Sequence, residues 1–197
     1  RGVTAVDIHL QTGGYALDLG GYDCSAGALY EVGGNLYAFG QGISRSDSKS
    51  AHVQRFIAER SPQLQPKRIL DMGCSAGSAS VPYALAFPDA EVHAIDVGAG
   101  MLRYAHARAE ALGAAVHFHQ MDVAATSFPD QYFDLIVSHN VMHEISDATR
   151  RGRTFRTGVF RISVSRSKVW AIRLWPTSVS SAGSGRIIGL PSSPFSG

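Results

Sequence analysis

Residues 68–80 read RILDMGCSAGSAS, and this stretch decides how the rest of the chain is interpreted. An apolar run ends at Asp71, and small residues then surround Gly73 and Gly77. The run predicts a buried strand, and the glycines let the backbone turn and come close to a ligand. A helix that starts after the turn offers unpaired backbone N–H groups. The stretch therefore predicts a ligand-binding turn between a strand and a helix.

Strands and helices alternate around this turn, as hydrophobic periodicity, capping residues and glycines indicate. The predicted elements are a helix at 47–60, strands at 68–72, 91–96, 115–120 and 132–138, and helices at about 78–87 and 99–112. This order predicts βαβ units in an α/β, Rossmann-like fold, with three αβα layers and a mainly parallel sheet. Ligands of such a sheet bind at the carboxyl ends of its strands, where the glycine turn lies.

Aspartates lie at the ends of three successive predicted strands, at Asp71, Asp96 and Asp122. The spacing of Gly73 and Gly77 differs from the GxGxxG pattern of dinucleotide-binding folds, which makes a nicotinamide dehydrogenase a distant alternative. A carboxylate directly before the turn suits a cation better than a phosphate, and one at the position of Asp96 suits a ribose diol. The three acids predict a site for a nucleoside that carries positive charge.

Three longer runs then occur in order: ILDMGCSAG at 69–77, VHAIDVGAGMLRYAHARAEALG at 92–113 and VHFHQMDVAATSFPDQYFDLIVSHNVMHEI at 116–145. Over about residues 66–146 the chain resembles the first half of class I S-adenosylmethionine-dependent methyltransferases of the small-molecule, methyltransferase-domain type. The resemblance implies S-adenosyl-L-methionine as the cofactor and methyl transfer to a small-molecule acceptor.

The resemblance also implies a set of cofactor-binding residues. They are Asp71, Gly73, Cys74, Ser75, Gly77, Asp96, Val97, Met101, Asp122, Val123, Ser138 and His139. By this resemblance the glycine turn holds the amino-acid part of the cofactor, Asp96 binds the ribose hydroxyls, and Met101 lies against the adenine. Ser75 departs from the family pattern, in which a glycine is more usual at that position.

Histidines supply the candidate catalytic bases. His139 and His143 follow the fourth predicted strand, and histidine titrates near neutral pH. Methyl transfer needs a base only when the acceptor is a hydroxyl, a protonated amine or a carbon acid, and a lone histidine is more often structural. His117 and His119 resemble a metal pair on a strand, but the sequence supplies no third ligand at a plausible spacing. It therefore favours a surface strand face and predicts no metal site.

The two ends of the chain differ in composition from the predicted methyltransferase domain at 47–150. Residues 1–46 are rich in Gly and Tyr and are interpreted as an arm of turns and short extended pieces, because glycine pairs break helices. Residues 151–197 are basic and rich in Ser, Gly and Pro, which predicts incomplete or divergent C-terminal strands, with a makeshift fifth strand at 168–175. The start at Arg1 rather than Met indicates a processed sequence or a fragment, and a frame-shifted end is a further explanation of the tail.

The charge of the chain is also divided, between an acidic part and a basic C-terminal part. Residues 1–147 carry 9 basic and 16 acidic residues, a net charge of −7, whereas residues 148–197 carry +9. The alternative hypothesis is therefore a catalytically inactive Rossmann-like binding module whose basic tail contacts nucleic acid or a protein partner. SHNV stands after the fourth strand in place of an Asn-Pro-Pro-aromatic motif, so the resemblance does not extend to enzymes that methylate amino groups of DNA bases, and small-molecule acceptors are favoured. The absence of long apolar runs and of a signal-peptide pattern predicts a cytoplasmic protein without a membrane partner.

Overall fold

The computed structural model describes residues 17–37, 48–123, 125–139, 141, 171–174 and 186–189. In chain order the elements are α1 (Ser25–Tyr37), α2 (Ser48–Arg60), β1 (Arg68–Met72), α3 (Ser80–Ala86), β2 (Glu91–Asp96), α4 (Ala99–Ala111), β3 (His117–Gln120), β4 (Leu135–Ser138), β5 (Ala171–Leu174) and β6 (Arg186–Gly189). Among the described residues, no helix combines the length and the apolar character that crossing a membrane requires.

The strands form one sheet in the order β3-β2-β1-β4-β5-β6. The first four are parallel, and β5 and β6 extend the sheet as antiparallel strands. The chain runs outward from β1 to β3 and then returns to place β4 on the other side of β1. Such a reversal creates a crevice at the carboxyl ends of the two central strands. The arrangement confirms the predicted fold class and puts the glycine turn at this crevice.

The core explains why β1 is central. Side chains alternate between the two faces of a strand, and both faces of β1 are buried. One face packs beneath α2 and α3 in a cluster of Val53, Ile57, Ile69, Ala79, Tyr83, Val92, Leu135 and Val137. The opposite face belongs to a cluster of Leu70, Met72, Ile95, Val123, Phe133 and Ile136. This double burial is typical of a parallel strand with a continuous apolar sequence.

Most element boundaries agree with the sequence prediction to within one or two residues. Between residues 48 and 138, the largest difference is at β4, which begins at Leu135 rather than at 132. The Asp134 carboxylate accepts hydrogen bonds from the backbone N–H groups of Lys67 and Arg68, at 2.7 and 2.9 Å. Asp134 therefore caps the entry to β1 instead of continuing β4 backwards.

The predicted N-terminal arm of turns and extended pieces is wrong for Ser25–Tyr37, which forms α1. A glycine pair lies inside this helix, although each glycine costs a helix about 1 kcal/mol relative to alanine. Packing against α4 overrides this preference. A Cβ atom added to Gly27 would lie only 2.2 Å from the Cβ of Tyr104, so glycine permits the close approach of the two helices. The tyrosine hydroxyl also donates to Glu31.

Two short strands, β5 and β6, lie in the C-terminal part of the chain. The makeshift strand expected at 168–175 corresponds to β5, whose Ala171 pairs with Ser138 of β4 in antiparallel register. β6 follows with four residues. Predictions about the remainder of the tail, and about residues 1–16 and 38–47, lie outside the described residues.

Candidate functional site

The glycine turn after β1 is fixed on the end of β2. The backbone N–H groups of Gly73 and Cys74 both donate to the carbonyl of Ile95, at 2.8 and 3.0 Å. Gly73 has φ +70°, and a Cβ atom there would lie 2.2 Å from Cγ2 of Val141. Both the backbone conformation and the space therefore require glycine, and the turn passes directly beside the segment that follows β4.

Ser75, in the middle of the turn, has φ +48°, in the left-handed region that favours glycine. Its backbone N–H donates to Oδ2 of Asp96 at 2.9 Å, so the strained conformation directs this N–H at the neighbouring strand end. The glycine expected at this position in the family pattern thus has a physical reason. Cys74 beside it is buried, and burial raises the pKa of its thiol well above the ordinary value. A neutral thiol of this kind packs rather than reacts.

Asp96 ends β2 with both carboxylate oxygens engaged. Oδ2 accepts from Ser75, and Oδ1 accepts from the backbone N–H of Gly98 at 2.9 Å. The residue is only 8% exposed, and this burial raises the pKa of its carboxyl group, although the backbone N–H donors oppose the shift. Asp96 therefore connects the glycine turn to the start of α4.

Asp71 is the second buried carboxylate of the site, and it is less completely hydrogen-bonded. Oδ2 accepts from the Ser80 hydroxyl at 2.6 Å, whereas Oδ1 has no hydrogen-bond partner among the described residues. Burial raises the pKa of Asp71 to about 6; the Ser80 hydrogen bond opposes this shift, and the nearby charge of Asp96 adds to it. A buried carboxylate oxygen without a partner is a feature of binding sites, and it suits a positively charged group.

The segment after β4 brings His139 to the same end of the sheet. Its Nε2 lies 3.0 Å from the hydroxyl of Tyr83, a fully buried residue of α3. Burial, with a smaller contribution from Asp71, raises the pKa of this hydroxyl well above the ordinary value. The His139 ring is therefore anchored to the core through a neutral tyrosine. The Ser138 hydroxyl is buried as well and has no partner within the described part of the chain.

The predicted adenine-side residues lie at the ends of β2 and β3. Met101 is 1% exposed on the first turn of α4, Val123 is also buried, and Asp122 is exposed. A backbone bond from Met121 to Asp96, 2.9 Å long, joins the two strand ends. Gln120 adds a side-chain bond to the carbonyl of Val97, which is half-buried. The structure thus brings together every predicted cofactor-binding residue at one edge of the sheet, whereas His143 lies outside the described residues.

The histidine pair on β3 packs against His93 of β2. His119 Nε2 lies 3.0 Å from Nδ1 of His93, and Nε2 of His93 lies 3.1 Å from Oε1 of Glu91. Burial lowers the pKa values of His93 and His119. Within the described ranges, no three His, Cys, Asp or Glu side chains are placed to hold a metal ion. Contacts with His93 and Glu91 account for the positions of His117 and His119.

Sequence reasoning missed the residues of α3 and α4 that support the site. Ser80 and Tyr83 stand three positions apart on α3 and direct their hydroxyls to Asp71 and His139, respectively. Arg108 of α4 donates to the carbonyl of Gly77 at 3.3 Å. The available signal was the pair of hydroxyl residues at helical spacing directly after the glycine turn.

Comparison with known proteins agrees with this geometry. Residues 69–157 match a family model described as a methyltransferase domain. The chain is 31% identical over 118 residues to phosphoethanolamine N-methyltransferase 1 of Arabidopsis thaliana, covering 59% of this chain and 23% of that protein. It is 36% identical over 110 residues to trans-aconitate 2-methyltransferase of Methylobacterium radiotolerans, covering 55% and 40%. The chain thus spans less than half the length of either relative.

Among solved structures, a putative S-adenosyl-L-methionine-dependent methyltransferase from Methanococcus maripaludis superposes with a TM-score of 0.51. The sequence identity is 21%, and the match covers 68% of this chain and 57% of that one. At this identity the likeness concerns the fold.

Proposed function

We propose, from the premise that residues 69–157 belong to the S-adenosylmethionine-dependent methyltransferase family, that this chain transfers a methyl group to a small-molecule acceptor. S-adenosyl-L-methionine is the cofactor of that family. The observation that carries the proposal is the placement of two buried carboxylates, Asp71 and Asp96, on either side of a left-handed turn. The names of the two relatives describe methylation of phosphoethanolamine and of trans-aconitate, which supports a small acceptor.

The residues at the site fit this cofactor. Asp71 has a buried oxygen without a partner among the described residues, beside a turn in which Gly73, Ser75 and Gly77 have positive φ. We assign Asp71 and the glycine turn to the cationic amino-acid part, and Asp96 to the ribose hydroxyls. Met101, Asp122 and Val123 are assigned to the adenine. When bound, the cofactor supplies a methyl group already activated by its sulfonium, so the protein mainly aligns the acceptor and excludes water.

His139 and His143 remain the proposed bases for an acceptor that must lose a proton. For His139, the bond between Nε2 and Tyr83 has to open before this nitrogen accepts a proton from the acceptor. An acceptor that is already a neutral amine needs no base, and for such an acceptor His139 acts as an anchor of the segment after β4. A cytoplasmic location also belongs to this proposal.

Binding of S-adenosylmethionine and S-adenosylhomocysteine, measured by isothermal titration calorimetry, is the first test. Asp122→Ala is expected to weaken binding at least several-fold with little change in stability, because Asp122 is exposed at the proposed adenine edge. Asp130→Ala is the matched control, since Asp130 is exposed on the same connection between β3 and β4. Transfer of a labelled methyl group to a panel of small amines, alcohols and carboxylic acids then identifies the acceptor class.

A folded protein that binds neither compound would contradict the proposal. It would favour the alternative, in which the +9 charge of residues 148–197 binds nucleic acid or a protein. That alternative predicts an affinity for RNA or DNA that falls steeply with salt and is lost when residues 150–197 are deleted.

A further inference from the structure

Helix α1 precedes the residues that match the methyltransferase family, yet a buried ion pair ties it to α4. Oε1 of Glu31 lies 3.6 Å from Nε of Arg108, and the side chains are only 9% and 8% exposed. The other carboxylate oxygen of Glu31 accepts from the hydroxyl of Tyr104. Because an unpaired charge is costly in such a position, Arg108 and Glu31 hold each other in a defined place.

The same arginine continues to the glycine turn. Nη1 of Arg108 donates to the carbonyl of Gly77 at 3.3 Å, and that carbonyl also accepts from the N–H of Val81 in the first turn of α3. Gly77 has φ +74° and packs closely on Ala105 of α4. The guanidinium therefore connects α1, α4 and the last glycine of the turn in one chain of contacts.

We propose that Arg108 is a positioning residue of the cofactor site, which couples the docking of α1 to the conformation of the glycine turn. The inference rests on the proposed function, because it concerns the same site. A residue of α1, Glu31, orients the guanidinium, and the guanidinium holds the carbonyl of Gly77. Coupling of this kind is reciprocal, so binding of the cofactor also stabilises the docked position of α1.

A second arginine of α4 provides the matched control. Nε of Arg103 donates to the carbonyl of Asp23 at 2.7 Å, and its guanidinium pairs with Asp18. These contacts hold the turn before α1, so Arg103→Met loosens the same N-terminal segment while keeping the bond from Arg108 to Gly77.

The experiment compares S-adenosylhomocysteine affinity, by calorimetry, with stability, by urea unfolding. Arg108→Met removes one charge-assisted hydrogen bond to the turn and is expected to weaken binding about tenfold. It also destabilises the fold, because Glu31 loses its ion pair. The double variant Glu31→Gln/Arg108→Met removes both charges and is expected to regain stability while affinity stays low. Arg103→Met is expected to bind within about twofold of the wild type, since the contacts of Arg103 are with Asp18 and Asp23 before α1 rather than with the glycine turn.

Hydrogen exchange adds a readout on α1 itself. S-adenosylhomocysteine is expected to slow exchange in α1 of the wild type, and to do so much less in the Arg108→Met protein. Recovery of affinity together with stability in the double variant would overturn the inference, since Arg108 would then act through stability alone. Equal loss of affinity in Arg103→Met would overturn it too. Failure of the folded wild type to bind would instead refute the proposed function, and this inference with it.

Discussion

Asp71 and Asp96 lie on adjacent strands at the same edge of the sheet, and both are buried, but their carboxylates are satisfied differently. Asp96 accepts a backbone N–H at each oxygen. Asp71 accepts one hydroxyl at one oxygen, and the other oxygen has no partner among the residues described. The Asp96 carboxylate therefore holds the protein's own backbone at both oxygens, whereas the Asp71 carboxylate is hydrogen-bonded at one oxygen.

Burial raises the pKa of both carboxyl groups, so the two residues differ in their hydrogen bonds and not in the direction of the pKa shift. A carboxyl group whose folded pKa exceeds its unfolded value stabilises the fold while it is protonated, and this contribution is lost as the pH rises through the folded pKa. For Asp71 the loss falls between about pH 3.8 and about pH 6. At neutral pH the ionised Asp71 destabilises the empty site, and a positively charged ligand offsets that penalty. Stability and binding are thus expected to oppose each other at Asp71 and to agree at Asp96.

The largest effect is expected for Asp96→Ala. Two backbone N–H groups, a half-buried one at Ser75 and a buried one at Gly98, lose their acceptors, and an unsatisfied buried group costs about 1–3 kcal/mol. We expect the free energy of unfolding to fall by about 2–5 kcal/mol, and S-adenosylhomocysteine binding to be lost. Urea unfolding and calorimetry measure the two quantities. Unchanged stability would mean that water satisfies these N–H groups. The Asp96 carboxylate, like that of Asp71, would then not stabilise the fold.

The opposite change in stability is expected for Asp71→Asn. The amide still accepts from Ser80 but carries no charge, so stability at pH 7 is expected to rise by about 1–3 kcal/mol. The gain disappears near pH 4, where the wild-type carboxyl is protonated, and affinity for S-adenosylmethionine falls. Unfolding at pH 4, 5 and 7 tests this, with Asp89→Asn as an exposed control. A gain that is independent of pH would exclude the charge of Asp71 as its cause.

The smallest effect is expected for Ser75→Gly, which changes the residue beside Asp96 but keeps the backbone N–H that donates to the Asp96 carboxylate. Glycine relieves the left-handed backbone at φ +48° and keeps the N–H that binds Asp96, but it adds entropy to the unfolded chain. A net gain of about 0.5–1 kcal/mol follows. Ser78→Gly is the control in the same turn region, where φ is not positive, and it is expected to destabilise. Destabilisation by Ser75→Gly would show that the serine side chain has a role of its own.

The sequence predicted the fold from 68 to 138 because local signals agree there. Buried strands are continuous apolar runs, helices have a regular apolar period, and glycines mark the turns between them. The three aspartates were assigned to one edge because parallel strands share a carboxyl end. The same reasoning failed for α1, since its glycine pair is a local signal and its docking on α4 is not.

The amino-acid sequence by itself determined the order of elements, the strand-end positions of Asp71, Asp96 and Asp122, and the resemblance to a family. Only the tertiary structure decided which carboxylate oxygens of Asp71 and Asp96 accept hydrogen bonds, and which side chains support the site. The physical reason is distance along the chain: Ser75 is 21 residues from Asp96, Tyr83 is 56 from His139, and Tyr104 is 73 from Glu31. Periodicity and composition describe near neighbours in sequence, whereas these bonds form only after the sheet and its helices have packed.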